Sequence, residues 1–228
     1  MLCLKKTISS NTQCIFFEDK IPFPPKFQTE CTLLAKKISE LYKDSKDTLL
    51  LFIGASPAYI HLAFSKLETP CESRLLPISG LSLIYTKDYM LEPLNSSNKK
   101  DAFTSYVEKF ITRPYKKIVL VDHSHTGMSI LNLIKLLREC EINSTFDFIN
   151  LVDEKTPLNY IDTIPYFGYL QQNHILKGEF INQVSGHKIA RLCPQHHLIN
   201  ILKQEEIDQK STAIAQLTAE KYFFKTYF

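Results

Sequence analysis

With 228 residues, 44% of them hydrophobic, the chain is long enough to bury a full core of its own. A formal charge of +3, from 27 basic and 24 acidic residues with the lysines spread along the chain, excludes the concentrated basic face that nucleic acid or an anionic membrane requires. No apolar run approaches a membrane span or a signal-peptide core, so the expected setting is cytoplasmic, with secretion by a signal-less route left open.

Cys3, Cys14, Cys31, Cys71, Cys140 and Cys193 form no C-x-x-C pair and read as reduced thiols. The whole chain, residues 1–228, is expected to form a single domain with an N-terminal arm over 1–28. The prolines Pro22, Pro24 and Pro25 keep that arm extended. Thr29 then reads as a helix cap, and Cys31, Leu33, Leu34, Ile38 and Leu41 mark one helical face through residue 43. Thr48 to Ile53 is a continuous apolar run, the pattern of a buried strand. It ends at Gly54, after which Ser56 can cap a new helix with Pro57 in its first turn.

Strands are expected over Arg74 to Ile78 and Leu81 to Tyr85, a loop over 86–100, and a helix over Asp101 to Ile111 that stops before Pro114. The clearest unit is the apolar strand Lys117 to Asp122, a turn over His123 to Gly127, and an amphipathic helix from Met128 to Arg138. Phe146 to Val152 supplies another strand, and Ile164 to Leu170 a further one. From about residue 199 the chain reads as a helical appendage ending in Tyr222, Phe223, Phe224, Tyr227 and Phe228. That cluster would mark a surface for a protein partner if it were exposed. Strands alternating with helices indicate an α/β fold with a doubly wound, mostly parallel sheet, which gathers ligands at the carboxyl ends of its strands.

Chemistry concentrates where the strand ending at Asp122 runs through His123, Ser124, His125 and Thr126 to Gly127, Met128 and Ser129. The start of a helix offers free backbone N–H groups and the positive end of the helix dipole, and the hydroxyls of Thr126 and Ser129 add donors. Such a turn suits a phosphate monoester. Gly54, Ala55 and Ser56 form a second strand-to-helix turn able to receive an anion, although it carries no lysine or arginine. His123 and His125 could join Asp122, or Cys193, His196 and His197, around a metal. The paired spacings of zinc sites are absent, however, so no metal site is expected. Ser56 and Ser124 lack the surroundings of a hydrolase nucleophile, since Pro57 removes the N–H that would serve an oxyanion.

The segment Val119 to Ser129 resembles the ribose-phosphate motif of type I phosphoribosyltransferases, in which an apolar strand ends in two adjacent acids and leads to a Thr-Gly-x-Thr/Ser loop. The resemblance implies a phosphoribosyltransferase-like fold and a 5′-phosphorylated ribose or nucleotide as ligand. Thr126, Gly127, Met128 and Ser129 would hold the phosphate, with Asp122 and His123 at the ribose. It also implies magnesium, and chemistry at the ribose anomeric carbon with Asp122 and His125 as catalytic residues. Aligned without a gap, Asp122 takes the second acid position and Val121 replaces the first. With Asp122 as the first acid, His123 replaces the second and the loop is one residue short. One carboxylate is missing in either register, and the family uses both acids to stabilise a cationic ribose. The alternative is therefore a non-catalytic interaction or regulatory protein, such as a secreted effector, that retains the fold.

Overall fold

A computed structural model describes residues 15–17, 26–81, 97–124, 127–155, 168–179, 190–192 and 198–202. Its elements in chain order are β1 (Ile15–Phe17), α1 (Phe27–Leu41), β2 (Thr48–Ile53), α2 (Ala58–Phe64), β3 (Glu72–Leu76), α3 (Ser97–Val107), β4 (Lys117–Asp122), α4 (Met128–Glu139), β5 (Thr145–Asp153), β6 (Gln172–Gly178), β7 (Ala190–Leu192) and α5 (Leu198–Leu202). Five strands form one sheet in the order β3-β2-β4-β5-β6, and every neighbouring pair runs parallel. The expected doubly wound parallel sheet is thus present. Beside it, β1 and β7 pair antiparallel, so this part of the N-terminal arm is extended as expected.

Alternation along each strand divides the core in two. Leu50, Phe52, Val119, Val121, Ile149 and Leu151 pack against α1 and α2. Leu49, Leu51, Ile118, Leu120, Phe146 and Phe148 face the opposite way, onto α3, α4 and α5. Residues 48–53 of β2 are buried throughout, which is why the strand reads as an unbroken apolar run rather than an alternating one.

Several boundaries differ from the sequence reading. Helix α1 starts at Phe27 with Lys26 as its N-cap, and Thr29 lies inside its first turn without capping it. The reason is tertiary: Phe27 is buried and meets the Tyr59 ring edge-on at 5.4 Å, which anchors the helix earlier than the polar signal suggests. Pro57, not Ser56, occupies the N-cap of α2 and no side chain bonds to that cap. Strand β3 runs over 72–76 rather than 74–78, because its pairing with β2 joins Leu49 to Glu72 and Ile53 to Leu76. Helix α3 begins at Ser97 and takes in the last four residues of the expected loop. The strand expected over Ile164 to Leu170 is not found where it can be followed: residues 168 and 169 form a turn, and strand β6 comes after them. Ile164 to Phe167, most of Leu81 to Tyr85 and the aromatic cluster from Tyr222 lie outside the described residues. No helix among the described residues is long and apolar enough to cross a membrane, and Cys31, Cys71 and Cys140 are free thiols.

The end of α4 carries a strained residue. The Glu141 amide donates to the Arg138 carbonyl at 2.9 Å and the Ile142 amide to the Leu137 carbonyl at 3.0 Å, the two bonds of a Schellman cap. Glu141 occupies the left-handed position of that cap, at φ 64°, where glycine is the usual residue. Its ion pair with Lys100 is at the surface and stabilises little. Glu141→Gly is therefore expected to raise the free energy of unfolding by about 0.5–1 kcal/mol, measured by urea denaturation.

Candidate functional site

The sheet order places the site before any side chain is considered. From β2 the chain passes through α2 to β3 on one side. It then returns across β2 to β4 and continues outward through α4 to β5. Because α2 and α4 lie on opposite faces, the winding reverses between the carboxyl ends of the adjacent strands β2 and β4, the place where parallel sheets of this kind receive ligands in a crevice. The two turns singled out in the sequence, Gly54 to Ser56 and His123 to Ser129, border this crevice.

At the end of β4, the Asp122 carboxylate accepts the His123 amide at 2.7 Å. Burial pushes its pKa up to about 8, against the opposing pull of that amide. The His123 ring turns to the neighbouring strand, where Nδ1 donates to the Leu151 carbonyl at 2.6 Å. The Ser124 backbone is held from both sides by Asn150: its N–H donates to Oδ1 at 3.1 Å, and its carbonyl accepts from Nδ2 at 3.0 Å. Asn150 is fully buried and sits opposite Asp122 in the β4–β5 register. Sequence reasoning passed over it, since an asparagine within an apolar run gives no sign of which distant backbone it will meet.

The Ser124 hydroxyl in turn accepts the Gly127 amide at 2.9 Å. Gly127 is the N-cap of α4 at φ 67°, and its carbonyl accepts the amides of Ile130 and Leu131, both at 3.0 Å. The amides of Met128 and Ser129 have no partner among the described residues. They lie in the first turn of a 12-residue helix with no acidic residue in that turn. One donor of the expected phosphate loop is thus used by the protein itself. His125 and Thr126, two of the expected site residues, lie outside the described residues. Gly127→Ala would force a side chain into the left-handed region. It is expected to lower the free energy of unfolding by about 1–2 kcal/mol, measured by thermal or urea denaturation.

On the other bank of the crevice, Gly54 has φ 71°, and its amide donates to the Leu76 carbonyl at 2.8 Å. A Cβ there would meet the Ile78 carbonyl oxygen at 3.1 Å, so glycine fits because the chain leaving β3 passes close by. The Ala58 amide donates to the Ala55 carbonyl at 3.2 Å, and Pro57 has no N–H. Among the described residues the amides of Ala55 and Ser56 have no partner, and α2 behind them has 7 residues. It is the poorer anion receptor of the two.

No protein-family model matches the chain, and no curated protein matches it in sequence. Among solved structures, an orthorhombic crystal form of a hypoxanthine phosphoribosyltransferase from Staphylococcus aureus is similar over 66% of this chain and 72% of its own, at 15% identity and a TM-score of 0.36. A tetragonal form of the same enzyme has the same coverage and TM-score at 14% identity. A hypoxanthine-guanine-xanthine phosphoribosyltransferase is similar over 66% of this chain and 73% of its own, at 11% identity and a TM-score of 0.33. The chain is an α/β protein whose parallel sheet reverses its winding between β2 and β4.

Proposed function

We propose that the chain binds a 5′-phosphorylated ribose or nucleotide in the crevice between the ends of β2 and β4. The phosphate sits at the first turn of α4 and is received by the Met128 and Ser129 amides, the Ser129 hydroxyl and Thr126. The ribose lies beside Asp122, and His125 stands near its anomeric carbon. The observation that supports this most is the coincidence of the switch-point crevice with a left-handed glycine N-cap on a long helix, its turn secured by Asn150. Calorimetry with ribose 5-phosphate, nucleoside monophosphates and phosphoribosyl pyrophosphate tests it. Binding is expected for ligands that carry the 5′-phosphate and not for the matching nucleosides. Failure of every phosphorylated ligand at millimolar concentration would overturn the reading.

A magnesium ion would be held chiefly by the ligand's own phosphates and by water, with one or two protein carboxylates at most. Asp122 is flanked by Val121 and His123, and no group of three or more His, Cys, Asp or Glu side chains suited to a metal ion occurs among the described residues. A second reading, a non-catalytic protein that keeps the fold, is favoured by one observation. The single acid at the end of β4 is held largely protonated near neutral pH by burial, so it supplies little negative charge to a cationic ribose. Incubation with phosphoribosyl pyrophosphate and a set of purine and pyrimidine bases separates the two: nucleotide formation supports transferase activity, and binding without product supports the non-catalytic reading.

A further inference from the structure

At the amino end of the sheet, away from the crevice, a cavity of about 640 Å³ lies between the closing turns of α3 and α4. Its size falls within the range of small-molecule pockets. Val107, Ile111 and Ile142 form apolar wall, while Glu108 and Glu141 bring carboxylates. Both helices end here, so both present the negative end of their dipole.

The basic lining residue, Arg113, is already committed. Its guanidinium lies 4.2 Å above the Tyr115 ring and is paired with Glu72 at 3.6 Å and Asp47 at 3.9 Å, partners that do not line the cavity. Glu108 has no ion-pair partner among the described residues. Glu141, at the rim, is paired with Lys100 at 3.0 Å, so Glu108 is the lining carboxylate left for a ligand. An anion would meet two helix carboxyl ends and the Glu108 carboxylate. A neutral apolar molecule would leave Glu108 to be desolvated without compensation.

We propose that this cavity is a second ligand site, which takes an organic cation: a protonated amine carried on an apolar body. The ammonium group lies against Glu108 and the carbonyl ends of the helices, and the apolar body lies against Val107, Ile111 and Ile142. This site shares no residue with the phosphate crevice and stands or falls separately from it.

The test titrates the full chain with phenethylammonium and with two counterparts of the same size, phenylacetate and 2-phenylethanol, followed by calorimetry and melting temperature. The ammonium is expected to bind about tenfold more tightly than either counterpart. Glu108→Gln, an exposed change that leaves the fold intact, is expected to weaken it about tenfold. Ile111→Trp, which fills the cavity, should abolish binding. Equal binding of the three probes, no binding of phenethylammonium at millimolar concentration, or unchanged affinity in Glu108→Gln would each overturn the proposal.

Discussion

Asp147→Ala is expected to lower the free energy of unfolding by about 2–4 kcal/mol, among the largest effects of any single change in this chain. Asp147 is fully buried in β5 on the face that carries α1. Its Oδ2 accepts from Lys117 Nζ at 2.8 Å and from the Tyr42 hydroxyl at 3.1 Å, which ties β4, β5 and the end of α1 together at one point. Removing the carboxylate leaves a lysine and a phenol without their acceptor in a packed interior, and the cost is that of stranded polar groups. It stays below the upper end for buried pairs because the Lys117 side chain retains 24% exposure and can reach water.

Asp147 Oδ1 has no partner among the described residues, so only one of the two carboxylate oxygens is bonded there. A Lys117→Met/Asp147→Leu double variant should therefore recover most of the loss, since paired charges replaced by apolar groups of similar volume are often neutral. Urea denaturation of the single and double variants measures both effects. A loss under about 0.5 kcal/mol in Asp147→Ala would show that the cluster contributes nothing.

The second large effect is at Asp122, and its sign depends on pH. The folded-state pKa is raised from 3.8 to about 8, chiefly by burial, so between those values the folded chain keeps a proton that the unfolded chain has released. The stabilisation from that proton is complete below 3.8 and is lost as the pH rises through about 8. Asp122→Asn keeps the shape and keeps an oxygen to accept the His123 amide, but it has no charge to bury. The variant should match the wild type at low pH and exceed its stability by about 1–3 kcal/mol once the carboxyl would be ionised. Melting curves across that window check this directly. The same titration should appear in ligand binding: an ionised Asp122 repels a phosphate nearby. Affinity for ribose 5-phosphate should then fall in the wild type above about pH 8, while it stays level in Asp122→Asn.

These two carboxylates show how differently the levels of structure were legible. Asp122 stands out in the sequence because it ends an apolar strand just before a glycine-containing turn, a local pattern that carries its own meaning. Asp147 looks like an interruption in the next strand. Its importance comes from Lys117 and Tyr42, 30 and 105 residues away along the chain.

The same division runs through the fold. Strands β2 and β4 and helix α4 were readable because a fully buried parallel strand must be apolar at every position, and an amphipathic helix must repeat with its own period. Strand β6 was not, since its first two residues, Gln172 and Asn173, are exposed and its hydrogen bonds along the edge of β5 hold it where apolar patterning does not. Sequence alone determined the alternation of strands and helices and the turn at Gly127, because both depend on preferences that act within a few residues. Only the tertiary structure decided the strand order that sets the switch point between β2 and β4, the seating of Asn150 beneath Ser124, and the surroundings that raise the Asp122 pKa. Each of these depends on segments far apart in sequence excluding water from one another, and no local pattern encodes that.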